Sequence, residues 1–200
     1  MVLSLVTAPT AEEPLTLTAA KLHLRVSTDD EDSLITSLIV AARETFETRT
    51  GRKVSSQTWD LKLDAFPCNE IELPFPPVTS VTSVTYTDAN GISQTWSSTL
   101  YTTSLPAGPQ AGLACLYPIY GEIFPATRWV KNAVTVRFVC GYGTTNNPLP
   151  DAVLAGMKLL IGHWFENREA VIVGSTVEEL PMAVDALWWP YWMKGQAAAA

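Results

Sequence analysis

Apolar positions follow a helical period near both ends of the chain and a period of two in the middle. In the first quarter they predict a helix that is capped by Asp29 and runs to about Gly51, where glycine fits the left-handed position that ends a helix. Acidic residues 30–32 suit the positive end of its dipole. A shorter helix, capped by Thr16 or Thr18, is predicted up to about Arg25. The stripe of the longer helix consists of Leu34, Ile35, Leu38, Ile39, Ala42 and Phe46.

A second helical pattern occupies the last quarter. It begins at Asp151, extends to about Arg168 and presents a broad apolar face. Gly156 and Gly162 lie inside this helix, and each costs about 1 kcal/mol relative to alanine. We therefore expect a close backbone approach at these positions. The apolar face consists of Val153, Leu154, Met157, Leu160, Ile161, Trp164 and Phe165.

A short last helix is predicted after this one. Pro181 fits its first turn, where a missing amide hydrogen costs nothing, and Pro190 ends it.

The middle of the chain alternates between apolar and polar residues and is punctuated by proline and glycine. Asp88 to Gly91 is typical of a hairpin turn, with Gly91 able to adopt positive φ. Pro74, Pro76 and Pro77 mark an edge or a crossing between segments. We expect a small antiparallel sheet of about five or six strands, resembling a sandwich or a barrel. The predicted strands are 59–64, 81–86, 92–96, 113–117 and 133–140.

These patterns together predict an α+β fold. Neither helical stripe can be buried by its own segment, so we expect the two ends to pack together as one helical bundle, with the strands inserted between its halves. The predicted boundaries are 1–53 for the N-terminal helices, 54–147 for the β-rich insertion, 148–195 for the C-terminal helices and aromatic arm, and 196–200 for a disordered tail.

The charge of the chain bears on its possible partners. Charged residues make up 16% of the sequence and the net charge is −7, whereas ordinary soluble domains carry about 25% charged residues. A low charged fraction beside seven tryptophans suggests that partners cover some of the surface. The absence of a basic patch disfavours binding through nucleic-acid phosphates. No apolar run approaches the length of a membrane span.

The cysteines and the candidate catalytic groups argue against catalysis and against metal binding. Cys68, Cys115 and Cys140 are widely separated and odd in number, which argues against a disulfide framework or a cysteine metal site and favours a reducing compartment. His163 can share a helix face with Glu166, but a metal site needs three or four ligands, so a solvated face is favoured. No nucleotide or nucleophile motif is present. We expect no enzyme, no metal and no cofactor.

The most unusual stretch is Leu187 to Trp192, which holds three tryptophans and a tyrosine within five residues. Such aromatic anchors dominate many protein–protein contacts. They can equally cap the core of the bundle. Helical spacing predicts that Leu187, Trp188 and Tyr191 face inward while Trp189 and Trp192 face outward.

Both ends of the chain also resemble a known family. In order and spacing, several segments are similar to phage head-tail connector proteins, the adaptors that sit under the portal in tailed phages, prophages and gene-transfer particles. The strand region resembles an insertion carried by one branch of that family. The segments are Leu15–Val26, Asp29–Leu34, Glu44–Gly51, Pro148–Val153, Gly162–Ala170 and Glu179–Val184.

The resemblance implies a structural protein of the virion neck, synthesised in the host cytoplasm. It implies a ring of about a dozen identical subunits that binds the portal and receives the stopper or tail-completion proteins. Genomic DNA would pass through the centre without sequence-specific binding, which suits an acidic chain. The candidate contacts with the portal or a neighbouring subunit are Trp188, Trp189, Tyr191, Trp192 and Met193. The candidate contacts between subunits are Arg43, Arg49, Glu166 and Arg168.

An alternative from a different class is a binding module. In that hypothesis the β region recognises carbohydrate or protein through an aromatic platform made of Trp96, Tyr101, Tyr117 and Tyr120.

Overall fold

The chain forms two compact units. A computed structural model describes residues 1–8, 13–167 and 181–193. The β unit comprises Met1–Thr10 and Ser55–Pro148, and the helical unit comprises Ala11–Val54 and Leu149–Ala200. The predicted α+β class is confirmed. The predicted tail at 196–200 lies outside the described residues.

Both ends of the chain contribute helices to the helical unit. Its described residues form α1 (Leu17–Leu24), α2 (Asp32–Thr50), α3 (Asp151–Glu166) and α4 (Met182–Trp188). A short 3-10 turn, Trp189–Tyr191, follows α4 directly. Helix α3 ends at Glu166, two positions before the predicted Arg168, which lies outside the described residues.

The ends of α1 and α2 follow local hydrogen bonding. The Thr16 side chain accepts from the Ala19 amide at 3.2 Å and caps α1. Gly51 has φ of 69° and its amide donates to the Glu47 carbonyl at 3.0 Å, which confirms the predicted end of α2.

The predicted cap of α2 at Asp29 is wrong. The helix begins at Asp32, with Glu31 at the N-cap position. The Asp29 carboxylate instead accepts from the Lys21 ammonium at 2.6 Å. An ion pair with the end of α1 therefore occupies the side chain that sequence rules assign to capping.

The apolar stripes of the two chain ends share one core, which confirms that the ends pack together. Burying each large apolar side chain contributes about 1.5–3 kcal/mol, so the helices stabilise one another. The core residues are Leu15, Ala20, Ile35, Ile39, Ala42, Phe46, Val54, Val153, Met157, Leu160, Ile161, Val184, Trp188 and Tyr191.

The described part of the β unit contains two antiparallel sheets. The five-stranded sheet has the order β1-β2-β8-β4-β5 and the three-stranded sheet has the order β3-β7-β6. The strands are β1 (Val2–Thr7), β2 (Gln57–Leu63), β3 (Ile71–Leu73), β4 (Val78–Thr87), β5 (Ser93–Trp96), β6 (Tyr101–Ser104), β7 (Ala114–Pro118) and β8 (Val134–Cys140).

All five predicted strands are present, and the predicted hairpin joins β4 to β5. Three further strands, β1, β3 and β6, were not predicted, and there are two sheets instead of one. Strand β3 alternates between buried and exposed residues, but over only three positions, which is too short a run to identify a strand. The side chains of β1 are mostly exposed, so β1 carries no period-two burial signal. The predicted crossing at Pro74 to Pro77 lies between β3 and β4, which belong to different sheets.

The first residues of the chain require a correction. Sequence analysis placed 1–53 with the helices, but Val2–Thr7 pairs with β2 in the β unit, with Leu3 opposite Leu61. The five-stranded sheet supplies hydrogen bonds for this backbone, which a helical pattern cannot reveal.

One face of β8 forms the centre of the β core. Val134, Val136, Phe138 and Cys140 are fully buried, and the residues between them are half-buried. Asp60 and Arg137 lie opposite each other on β2 and β8 and form a two-pronged ion pair with distances of 2.8 and 2.9 Å.

Candidate functional site

Trp188 fixes the C-terminal aromatic segment to the helical core. Its side chain is fully buried and packs edge-on against Phe46, with ring centroids 5.3 Å apart. The Trp188 indole N–H donates to the Val153 carbonyl at 3.4 Å. A Cβ atom at Gly156 would overlap the Trp188 indole nitrogen. The close approach at this glycine is therefore made by the Trp188 side chain and not, as expected, by another backbone segment.

The backbone of the residues after Trp188 is hydrogen-bonded to the end of α2 and to the residues that follow it. The buried Arg52 side chain donates through Nε to the Tyr191 carbonyl at 2.6 Å. The Met193 amide donates to the Thr50 carbonyl at 3.2 Å. These bonds fix the direction of the chain after α4.

Two tryptophans remain on the surface beside this anchored backbone. Trp189 is 61% exposed and Trp192 is 36% exposed. Their ring centroids lie 5.0 Å apart at an interplanar angle of 47°. We call these two residues the tryptophan pair. The predicted division into inward-facing Trp188 and Tyr191 and outward-facing Trp189 and Trp192 is confirmed.

This geometry corrects the predicted contact set. Trp188 and Tyr191 are core residues, so they are not available to a portal or a neighbouring subunit in this conformation. Met193 is half-buried. The part of the set that a partner can reach is the tryptophan pair.

The four charged residues predicted to contact other subunits lie in different environments. Arg43 donates through Nε to Glu13 at 2.9 Å and its side chain is only 13% exposed, so it is occupied within its own unit. Arg49 lies 3.3 Å from Asp185, with both side chains partly exposed. Glu166 is exposed at the end of α3. Arg168 lies outside the described residues.

The four aromatic residues of the alternative hypothesis do not form a common exposed platform. Trp96 is only 4% exposed and belongs to the β core, where it packs against Tyr101 with ring centroids 5.1 Å apart. Tyr117 and Tyr120 are exposed. The four residues therefore do not form one binding surface, and the exposed members of the set are Tyr117 and Tyr120.

Shifted pKa values have structural causes. Hydrogen bonds that the Lys21 ammonium donates to the carboxylates of Asp29 and Asp32 raise the pKa of Lys21, and the same bond to Asp29 lowers the pKa of Asp29. Burial, with the nearby Glu70, raises the pKa of the Cys115 thiol, which makes it a poorer nucleophile.

The described residues offer neither a metal-binding cluster nor a membrane-spanning helix. Within residues 1–8, 13–167 and 181–193, no group of three or more His, Cys, Asp or Glu side chains is placed to hold a metal ion. Across the same ranges, no helix is both long and apolar enough to cross a bilayer.

One protein family and several solved structures resemble this chain. The model of the phage gp6-like head-tail connector protein family matches residues 14–108. The resemblance to head-tail connectors is confirmed. The matched range holds α1, α2 and strands β2 to β6, so the connector match joins part of each unit. None of the curated proteins compared with the chain matches it.

Solved structures show the same connector-like fold over nearly the whole chain. A chain in the neck of an empty gene transfer agent particle, computed with C6 symmetry, is 24% identical with a TM-score of 0.75. A chain in the virion of the native particle has the same identity and score. A chain in the native neck, computed with C12 symmetry, is 22% identical with a TM-score of 0.68. Each comparison covers 96% of both chains.

Sequence analysis missed one surface of this connector-like fold. The segment between β7 and β8, residues 119–131, exposes several large apolar side chains. The available signal was apolar residues that fit neither a strand nor a helix, in a stretch interrupted by Gly121 and Pro125. Their exposure depends on tertiary packing, because a neighbouring residue of the same type, Phe124, is directed into the β core.

Proposed function

We propose that this protein is a structural component of the virion neck, a head-tail adaptor that forms a ring beneath the portal. In this role it joins the capsid vertex to the stopper or tail-completion proteins and surrounds the DNA exit channel. The observation that carries the proposal is the similarity, over 96% of both chains, to a chain of a neck computed with C12 symmetry. The match to the connector family supports the same role. The proposed role is mechanical and requires no catalytic site.

The tryptophan pair is the proposed anchor on the portal. Two adjacent indoles supply a large apolar area with few rotatable bonds, which is the composition of an interface hot spot. Their backbone is held in place by the bonds of Arg52 and Thr50 to Tyr191 and Met193, so little conformational entropy would be lost on binding. Glu166, exposed at the end of α3, is the proposed contact between subunits.

Substitution of both members of the pair tests this anchor. The double substitution Trp189→Ala and Trp192→Ala should weaken binding to the cognate portal by at least about tenfold. A loss of about 1.4 kcal/mol of binding free energy is sufficient for a tenfold change in affinity. Met182→Ala is the matched control, since Met182 is 75% exposed on the neighbouring α4. Binding is measured by titration of purified portal, and thermal unfolding establishes that the fold is retained. Portal affinity equal to that of the control would refute the anchor.

The charge of the chain is consistent with a channel that does not hold DNA. The net charge is −7, so phosphate groups are repelled overall and gain little counterion release from binding. We expect no measurable retention of duplex DNA at physiological salt. Tight, salt-sensitive DNA binding by the purified protein would contradict the proposed passage of DNA without binding.

The alternative of a carbohydrate- or protein-binding sheet has less support. Its central tryptophan, Trp96, is a core residue, so the proposed platform lacks its largest ring.

A further inference from the structure

The segment 119–131 of the β unit displays apolar side chains on a firmly held backbone. Tyr120 is 105% exposed, Trp129 is 101% exposed and Ile123 is 83% exposed. Phe124, in the same segment, stacks on Phe66 with ring centroids 4.9 Å apart and also packs against Trp96 at 5.3 Å. The segment is therefore anchored in the β core while its other large side chains point outward. Exposed apolar groups of this size mark interaction surfaces.

A cavity adjoins the same segment. It has a volume of about 730 Å³ and lies between residues 64–68 and 123–131. Phe66, Pro67 and Phe124 supply apolar wall, and Cys68 also lines it. Tyr120 is not among the lining residues, so its ring does not fill the cavity of its own chain.

Charges of opposite sign accompany the projecting tyrosine and the cavity. Glu122 lies two positions after Tyr120, whereas two bases and one acid, Arg128, Lys131 and Asp64, line the cavity. The Asp64 carboxylate accepts from the Asn132 amide at 2.8 Å. Within the described parts of the chain, Glu122, Arg128 and Lys131 form no ion pair. One chain thus carries an aromatic knob beside an unpaired acid and an apolar hole beside two unpaired bases and one acid.

We infer that the cavity receives Tyr120 of a second copy of this chain, with Glu122 of that copy facing Arg128 and Lys131. This contact uses different surfaces on the two copies, and such head-to-tail contacts generate a ring when the rotation closes. The inference rests on the proposed ring and assigns it an interface. The occupant is a second copy because an exposed aromatic ring beside an acid complements an apolar cavity with an excess of bases, and both belong to one chain.

A disulfide trap tests the inference without altering the cavity. In Tyr120→Cys, the new thiol should react with Cys68 of the neighbouring copy under mild oxidation. Cys68 is exposed, while Cys115 is half-buried and Cys140 is buried, so Cys68 is the accessible native thiol. The expected product is a ladder of dimers, trimers and larger species on a non-reducing gel. A ladder requires different surfaces on the two copies, because contact through the same surface stops at dimers.

Two controls establish which thiols react. The ladder should disappear when Cys68→Ser is added to Tyr120→Cys. Ile92→Cys, at a position 58% exposed in the β4–β5 turn, should give no ladder.

A charge exchange supplies an independent measurement. Glu122→Lys should reduce crosslinking at least about tenfold, as expected for loss of a charge pair in an interface, and addition of Lys131→Glu should restore it.

The trap is applied to portal-bound complexes and to concentrated free protein, so that its failure is separable from failure of the proposed function. A ladder through Cys68 in either state supports the inference. Portal-bound protein that gives no ladder, or only dimers, overturns the inference and leaves the adaptor role intact. If the protein does not bind portal, the adaptor role fails, and the free protein alone decides the interface: a ladder supports it and none overturns it.

Discussion

The contact between Gly156 and Trp188 provides a sharp test of the helical core. A Cβ atom at Gly156 would overlap the indole nitrogen and lie 2.8 Å from Cε2 and 3.0 Å from Cδ1 of Trp188. Gly156→Ala gains about 1 kcal/mol in helix propensity but forces the indole to move, and overpacking of a core costs about 1–3 kcal/mol. We expect a net destabilisation between about 0 and 2 kcal/mol from these two contributions.

Gly162 on the same helix is the matched control. A Cβ atom there would lie 3.6 Å from His23 Nε2, an ordinary van der Waals contact. Gly162→Ala should therefore stabilise the helical unit by about 1 kcal/mol. The two substitutions have the same chemistry and differ in what surrounds the new methyl group.

A double-mutant cycle isolates the indole as the cause. Trp188→Ala removes the whole indole, including Nε1, Cε2 and Cδ1, the three atoms that the new Cβ would meet. In that background Gly156→Ala should stabilise the unit, giving a coupling of about 1–3 kcal/mol. The assay is denaturant unfolding followed by far-ultraviolet circular dichroism, which reports mainly on the helices. Equal stabilisation by Gly156→Ala and Gly162→Ala in the native background would refute the reasoning.

Two further predictions concern the β unit. Gly141→Ala should destabilise the β unit more than Gly143→Ala. Both positions have positive φ, which costs about 1–3 kcal/mol for other residues, but only at Gly141 would a Cβ atom also overlap the Ser55 carbonyl. Equal losses of amide-exchange protection in β8 would contradict this prediction. The Asp88 carboxylate accepts from the Ile92 amide at 3.0 Å, and the pKa of Asp88 is lowered below 3.8 chiefly by that bond. Its contribution to the hairpin should be present above pH 3.8 and lost as the pH falls through the lowered pKa. Asp88→Ala should remove this pH dependence of exchange protection at Ile92, and an unchanged acid dependence would exclude Asp88 as its source.

The helical ends were predictable because their apolar residues recur at a period that only a helix can bury on one face. The stripe through Ile35, Ile39 and Phe46 required a partner, and the stripe of α3 supplies it. The turn at Asp88 and the end of α2 at Gly51 were also predictable, since each depends on the conformational preferences of one or two residues.

Other features depend on contacts between distant segments. Strand β1 was missed because its side chains are mostly exposed and its stability comes from backbone pairing with β2. Asp29 was assigned to a helix cap because sequence rules do not include the competing ion pair with Lys21.

The sequence by itself determined the helical and strand regions, the acidic charge and the concentration of aromatic residues at the C-terminal end, because these follow from composition and from periodicities set by backbone geometry. Helical spacing also predicted which of these aromatics face inward, but only the tertiary structure decided what each inward side chain contacts and how exposed the outward ones remain. Trp188 and Trp189 are adjacent and chemically identical, yet one fills the space left by Gly156 and the other remains 61% exposed. The spacing predicts which of the two faces inward, but the surrounding elements, which a local pattern does not contain, decide how closely it packs and against what.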